Sequence, residues 1–104
     1  MESTANEVAD LLGLLSNRNR LMILCQLAEG EKSVGELARL LKVRETAVSQ
    51  QLAILRRERI VEPRREAQMV HYRLVRGDVG KLIMFLYETY CSPGAAATTK
   101  GKKT

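Results

Sequence analysis

The sequence predicts a mainly α-helical domain of five helices with a small two-stranded β-ribbon, and its patterning, composition and length lead to this fold class. Apolar residues recur at helical spacing in five segments, whereas one segment before the last of them alternates between apolar and polar residues. Only four residues are aromatic, so the core must consist of Leu, Ile, Val, Met and Ala, which favours helices. A chain of 104 residues is long enough for one domain and too short for two.

The first two helices follow from apolar stripes and from a polar stretch between them. Residues 5–15 form the first helix, whose apolar positions are Val8, Leu11, Leu12 and Leu15. In the next stretch, "SNRNR", Ser16 or Asn17 can cap a second helix that runs to about Glu29, and Gly30 ends it. Its predicted apolar stripe is Leu21, Leu24, Cys25 and Ala28.

The third and fourth helices are short and close together in the sequence. Ser33 opens "SVGELARLL" and Glu36 follows three residues later, which is the signature of a capping box. The apolar face of this third helix comprises Val34, Leu37, Ala38 and Leu41. After "KV", the segment "RETAVSQQLAILRRE" predicts a fourth helix with an inward stripe of Val48, Leu52 and Leu55.

The period of the pattern changes after the fourth helix. In "IVEPRREAQMVHYRLV", apolar and polar residues alternate over residues 70–74, which predicts a strand with one solvent-exposed face. Residues 60–65 are expected to pair with it as an antiparallel ribbon, and Pro63 requires an edge position. The turn near residues 66–69 lacks an Asn-Gly signal, so its geometry stays open.

The fifth helix closes the domain. Gly77 and Asp78 open it, and it stops near Cys91 because "SPG" cannot continue a helix. Its predicted apolar face is Val79, Leu82, Ile83, Leu86 and Tyr90. The domain is therefore expected to span residues 1–92, and residues 93–104, which end in "AAATTKGKKT", are expected to form a disordered basic tail.

Two short helices joined by a tight turn and followed by a basic ribbon predict a winged helix-turn-helix, whose second helix reads the major groove of DNA. The outward positions of that fourth helix are Thr46, Ser49, Gln50, Ala53 and Arg57. Gln50 can pair bidentately with an adenine edge. The ribbon residues expected to contact DNA are Arg64, Arg65 and Arg73, which would hold phosphates, and His71. The alternative for all these side chains is a plain solvated surface.

The charge of the chain is basic and unevenly distributed. The formal net charge is +5, and residues 56–76 hold seven Arg against three Glu, whereas residues 1–16 hold three acids and no base. The local net charge of +4 is typical of a small domain that binds a phosphate backbone.

Location and cysteine usage follow from two observations. No segment approaches the roughly 18 apolar residues of a membrane span, and "MESTANEVAD" lacks the cationic start and apolar centre of a signal peptide. A cytoplasmic protein with no membrane partner is therefore expected. Because structural disulfides are rare there, Cys25 and Cys91 are expected to be free thiols. In "LMILCQLAEG", Cys25 can either pack as a small hydrophobe or act as a reactive thiol.

The stretch "LSNRNRLMILCQLAEGEKSVGELARLLKVRETAVSQQLAILRRERIVEPRREAQMVHYRL" resembles the ArsR-type bacterial winged-helix repressors, and the resemblance covers roughly residues 8–91. It implies a homodimer joined through the first and last helices, which binds an inverted repeat in double-stranded operator DNA. It also implies that Thr46, Ser49 and Gln50 fall where DNA-reading residues lie. Glu45 departs from the family, in which Gln is common at that position.

Many ArsR-type proteins sense metals, but the known ligand patterns are missing. One pattern, Cys-Val-Cys-Asp-Leu on the third helix, corresponds here to Ser33–Leu37 and contains neither thiol. Another requires several His and acidic residues on the last helix, and "DVGKLIMFLYETYC" contains no His. The chain has a single His, which is poor material for a zinc site of three or four ligands. Neither a metal site nor a cofactor is expected.

The contexts "LMILCQL" and "LYETYCSPG" resemble the persulfide- and redox-sensing branch of the family that includes BigR, SqrR, HlyU and YgaV. The resemblance implies that Cys25 and Cys91 form a disulfide or polysulfide cross-link with reactive sulfur species or oxidants, and that the link weakens operator binding. In such chemistry one thiolate attacks and the second thiol resolves the adduct.

Three alternatives to this sensor remain. The nearest is an ArsR-type regulator with inert cysteines that senses a metal or another ligand. A thiol oxidoreductase would need a Cys-x-x-Cys pair on an α/β scaffold, and both are missing from the sequence pattern. A helical protein-interaction module would leave the basic ribbon unexplained. No enzyme activity is therefore expected.

Overall fold

Residues 2–91, which the computed structural model describes, form five helices and three short strands. In chain order these are α1 (Glu2–Leu15), α2 (Arg18–Glu29), β1 (Lys32–Ser33), α3 (Val34–Leu41), α4 (Glu45–Arg57), β2 (Val61–Glu66), β3 (Met69–Leu74) and α5 (Gly77–Tyr90). The predicted fold class, a mainly helical winged helix-turn-helix with a two-stranded wing, is confirmed. The tail predicted at residues 93–104 lies outside the described residues.

Capping side chains determine where α2 and α3 begin. Asn17 accepts a hydrogen bond through Oδ1 from the backbone N–H of Arg20 at 3.0 Å. Ser33 Oγ accepts one from the backbone N–H of Glu36 at 3.1 Å, and Glu36 Oε1 accepts one from the backbone N–H of Ser33 at 2.9 Å. The predicted capping box is therefore confirmed, and it satisfies donors that a helix start leaves unpaired.

The strands form one antiparallel sheet in the order β1-β3-β2, so β3 is the central strand. Pro63 lies on the edge strand β2, as predicted. Glu66 pairs with Met69, which leaves a two-residue turn. Ala67 enters this turn with a φ of 57°, in the left-handed region. The wing thus turns tightly without the Asn-Gly pair that usually favours such a conformation.

A single apolar core lies between the helices and the base of the sheet. Its buried residues are Leu15, Ile23, Leu24, Leu27, Leu37, Ala38, Leu41, Val48, Leu52, Leu55, Ile60, Val61, Val79 and Ile83. The inward stripe predicted for α4 is confirmed. The stripe predicted for α2 was incomplete, because Ile23 and Leu27 are buried as well. Of the predicted residues, Leu24 is buried, and Leu21, Cys25 and Ala28 are half-buried and pack against the core. This helix contacts the four other helices and β3, so more than one of its faces is covered.

Apolar side chains remain exposed on the first and last helices. On α1 these are Val8 and Leu12, and on α5 they are Met84, Phe85 and Tyr90. Tyr90, predicted on the apolar face of α5, is 65% exposed. No helix within residues 2–91 is long and apolar enough to cross a membrane.

Candidate functional site

The outward face of α4 carries the predicted DNA-reading side chains. Thr46, Ser49, Gln50, Ala53 and Arg57 are all exposed on the described surface. The opposite face of the helix, at Val48, Leu52 and Leu55, is buried almost completely. Because α4 is held by this apolar face, its polar face can approach a groove without a change in core packing.

A half-buried arginine that the sequence analysis did not identify holds α4 against two other helices. Arg20 on α2 donates from Nη1 to Gln51 Oε1 on α4 at 2.9 Å and from Nε to the Leu14 carbonyl of α1 at 2.7 Å. The Leu14 carbonyl lies in the last turn of its helix, where no backbone donor is available. Only the polar "SNRNR" stretch between two helices hinted at such a contact.

The wing arginines lie on exposed strands, but two of them are paired with acids. Arg64 Nη2 lies 2.7 Å from Glu31 Oε1 and 3.3 Å from Glu66 Oε1. Arg73 Nη2 lies 3.3 Å from Glu62 Oε1. The hydrogen bond from Arg64 lowers the pKa of Glu31, so this acid stays ionised and compensates the guanidinium.

The third wing arginine, Arg65, is exposed and makes no ion pair or side-chain hydrogen bond within residues 2–91. It therefore offers an uncompensated charge on β2. The sequence-based prediction assigned all three wing arginines to phosphates in the same way. In the structure they differ, because Arg64 and Arg73 have glutamate partners and Arg65 has none within residues 2–91.

His71 is half-buried at the centre of the sheet, since it lies opposite Ser33 on β1 and Arg64 on β2. The backbone N–H of Ser33 is the main cause of the lowered pKa of Glu36, and His71 adds a smaller effect. The side chain thus lies within electrostatic reach of an acid at the start of α3. The two-residue strand β1, which covers this side of β3, is too short to give an alternating pattern in the sequence.

The two cysteines are free thiols on facing helices. Cys25 is half-buried on α2, and Cys91 is the exposed capping residue that directly follows α5. Burial is the largest cause of a raised pKa at Cys25, followed by the negative charges of Cys91 and Glu29. Because α2 packs on α5 and Cys91 contributes to the raised pKa of Cys25, the two thiols lie within electrostatic reach of each other.

A cleft of about 190 Å³ lies beside Cys25 and is lined by Cys25, Ala28, Glu29, Met84 and Tyr87. The three α2 residues are spaced i, i+3 and i+4, so they share one face of that helix. The α5 residues Met84 and Tyr87 are spaced i and i+3, and Cys91 follows at i+7 on the same stripe. The Cys91 backbone N–H bonds to the Tyr87 carbonyl at 2.7 Å, which continues the helical geometry to the cysteine.

Within residues 2–91, no three or more His, Cys, Asp or Glu side chains are grouped so that they could hold a metal ion.

Comparisons with known proteins agree on one family. The model for "Bacterial regulatory protein, arsR family" matches residues 17–62. A biofilm growth-associated repressor of Agrobacterium fabrum is 48% identical over 93 residues, which are 89% of this chain and 80% of the relative. The structure of reduced HlyU from Vibrio cholerae has a TM-score of 0.84 at 42% identity, covering 88% of this chain and 97% of that one. The transcriptional repressor BigR from Xylella fastidiosa has a TM-score of 0.80 at 46% identity, covering 88% and 94%.

Proposed function

The chain belongs to the ArsR family of bacterial regulatory proteins, and from that premise we propose a homodimeric repressor whose operator binding is weakened by a Cys25–Cys91 cross-link. At the level of the family, the protein is a DNA-binding transcriptional regulator, and its relatives are regulators rather than enzymes. The cross-link, its inducer, the dimer and the DNA contacts are the parts that we propose.

One observation carries the switch, namely that Cys25 lies on α2 and Cys91 directly follows α5, the helix that packs on α2, and that Cys91 contributes to the raised pKa of Cys25. A persulfide R–S–S–H can transfer its outer sulfur to one thiolate and release R–S⁻. The second thiolate then attacks the protein-bound sulfur of the new persulfide, which forms the disulfide and releases HS⁻. With a peroxide, a sulfenic acid forms first, and its condensation with the second thiol releases water.

A link of this kind would act on α4 through α2. The helix α2 contacts both α5 and α4, and Arg20 bonds directly to Gln51. Tying Cys25 to the end of α5 would shift these contacts and thereby the spacing of the two reading helices in a dimer. Two-site coupling in proteins is typically about 1–3 kcal/mol, which corresponds to roughly 5–150-fold in affinity.

Dimerisation is supported by the apolar residues that α1 and α5 leave exposed. Leu12 and Phe85 are 51% and 61% exposed, and a second copy of the chain would cover such side chains. The family resemblance points to the same two helices. Two copies would present two α4 helices to successive major grooves, which requires an inverted repeat in the operator.

For DNA contacts, the proposal assigns base reading to Thr46, Ser49 and Gln50, because these exposed side chains lie in the first two turns of α4. Arg57 and Arg65 would contact phosphates directly, as would His71 with a smaller share. Arg64 and Arg73 would contact phosphates by exchanging their glutamate partners for the DNA backbone. The phosphate contacts would fix the position of the protein along the DNA, and the base contacts would read the sequence.

The test combines intact-mass analysis with DNA titration. Reduced protein should bind operator DNA, and a persulfide or peroxide should produce an intramolecular Cys25–Cys91 product and weaken binding. Cys25→Ser and Cys91→Ser should both bind DNA when reduced, and both should lose the response. An undiminished response in either variant would contradict the switch and leave a regulator of the same family with inert cysteines.

A further inference from the structure

The cleft beside Cys25 has walls that are largely apolar. The cleft lies on the face of α2 that carries Cys25, and its walls include Ala28 of α2 and Met84 and Tyr87 of α5. Its volume is about 190 Å³. An apolar cavity of about 150 Å³ is large enough to bind benzene, so a group of that size can lie against Cys25. Such walls favour an apolar group over a hydrated one because they offer few hydrogen-bond partners.

Glu29 supplies the charge among the residues that line the cleft. It lies one helical turn beyond Cys25, and its side chain is 52% exposed. Lys32 Nζ compensates it only in part, since that ammonium is 3.7 Å away and also donates to the Gln26 carbonyl at 2.9 Å. The negative charge of Glu29 contributes to the raised pKa of the Cys25 thiol, after burial and Cys91.

We infer that this cleft selects the inducer. It admits uncharged molecules that carry a small apolar group on an electrophilic S–S or O–O bond, and it disfavours anionic molecules. Cys25 is the thiol that lines the cleft, and Glu29 and Ala28 determine the selectivity by charge and by space. The inference rests on the proposed function, because it names the class of reactant for the same two thiols.

The chemistry balances with the two thiols alone as reductant. With a disulfide R–S–S–R, the Cys25 thiolate forms a mixed disulfide and releases R–S⁻, and the Cys91 thiolate then displaces the second R–S⁻. With a hydroperoxide R–O–O–H, the Cys25 thiolate takes the terminal oxygen as a sulfenic acid, and R–O⁻ leaves as R–OH after protonation. The Cys91 thiolate then attacks the sulfenic sulfur, which closes the disulfide and releases hydroxide, and the hydroxide takes up a proton to become water. In each case the thiols lose two electrons, which the reagent gains.

The charge selection is tested in the full chain with Cys91→Ser, so that Cys25 is the single thiol. Two aromatic disulfides are compared by the absorbance of the released thiolate: 4,4′-dithiodipyridine, which is uncharged, and 5,5′-dithiobis(2-nitrobenzoate), which is anionic. Adding Glu29→Gln should lower the ratio of the uncharged to the anionic rate by roughly threefold at low salt, as expected for like charges about 6 Å apart in water. The ratio cancels any change in the amount of thiolate, and the difference should shrink in 1 M salt.

Glu58→Gln is the matched control, because it removes the same charge from an exposed position at the end of α4. It should leave the ratio unchanged. An equal ratio in the Glu29→Gln variant and in its parent would overturn the assignment of charge selection to Glu29.

The size selection is tested with Ala28→Leu, which fills the cleft. It should slow the reaction of 4,4′-dithiodipyridine at least several-fold more than that of hydrogen peroxide, which needs no apolar space. Equal slowing of both reagents would overturn the role of the cleft. These rates are measured without DNA, so they are independent of the switch: if cross-linked wild-type protein keeps its operator affinity, the proposed function fails while the reagent preference stands.

Discussion

Replacing Arg20 with Ala removes a contact that joins α1, α2 and α4. The side chain is half-buried and donates to Leu14 at 2.7 Å and to Gln51 at 2.9 Å. Hydrogen bonds that involve a charged group are worth about 1.5–3 kcal/mol each, and the entropy of ordering a long side chain offsets up to about 2 kcal/mol of the total. We expect Arg20→Ala to lower the free energy of unfolding by about 2–4 kcal/mol.

The assay is urea denaturation at one protein concentration, since a dimer makes stability depend on concentration. The slope of the transition should not change, while its midpoint should fall. Gln51→Ala and the double variant complete a thermodynamic cycle, in which the coupling between the two side chains should be about 1–2 kcal/mol. Arg18→Ala, an exposed arginine on the same helix, serves as control and should shift stability by less than about 0.5 kcal/mol.

A coupling energy near zero would refute the reasoning that Arg20 holds α4 through Gln51. The same variants should bind operator DNA more weakly, because α4 would no longer be fixed against α2. If Arg20→Ala lost stability but kept full affinity, the contact would serve the fold alone.

Three further predictions concern the reading face, the dimer and the thiol. Gln50→Ala should blur sequence preference at one operator position, whereas Arg65→Ala should weaken binding to all sequences and reduce the salt slope by about 1, as measured by titration at several salt concentrations. Phe85→Glu should shift the sedimentation mass from dimer to monomer, and a monomeric wild-type protein at micromolar concentration would contradict the interface. In Cys91→Ser, the alkylation rate of Cys25 should still be rising at pH 9, because burial raises the pKa of this thiol and only the thiolate reacts. A plateau below pH 8 would mean that burial does not control Cys25.

Local sequence signals predicted most of the helical framework. Asn17 and Ser33 are side chains that cap helices wherever the following residues are helical, so they mark a boundary without knowledge of the tertiary structure. The apolar stripe on α4 was predictable from the sequence for a related reason. One face of that helix is buried and the other exposed, and a period of 3.6 residues encodes this division.

Features that depend on contacts distant in sequence were not predictable. The α2 stripe was predicted incompletely because a helix covered on several faces no longer has a single apolar face, as the buried Ile23 and Leu27 illustrate. The pairing of Arg64 with Glu31 joins residues 33 positions apart, and the Arg20–Gln51 bond spans 31 positions. The sequence predicted the exposed polar face of α4 and two free thiols, whereas the cleft beside Cys25 emerged only from the packing of α2 on α5.

The glutamates beside the wing arginines also change what a salt titration would report. Each phosphate that a basic side chain neutralises releases condensed counterions from DNA. Each one makes the negative slope of log affinity against log salt concentration steeper by about 0.9. Arg64 and Arg73 bring their own counter-charges in Glu31 and Glu62. When such an arginine moves to a phosphate, its glutamate partner is left unpaired and attracts cations from solution. The release of counterions from the DNA is therefore matched by the uptake of cations at the protein. The slope should therefore follow Arg57 and Arg65 more closely than the total number of basic residues on the binding face.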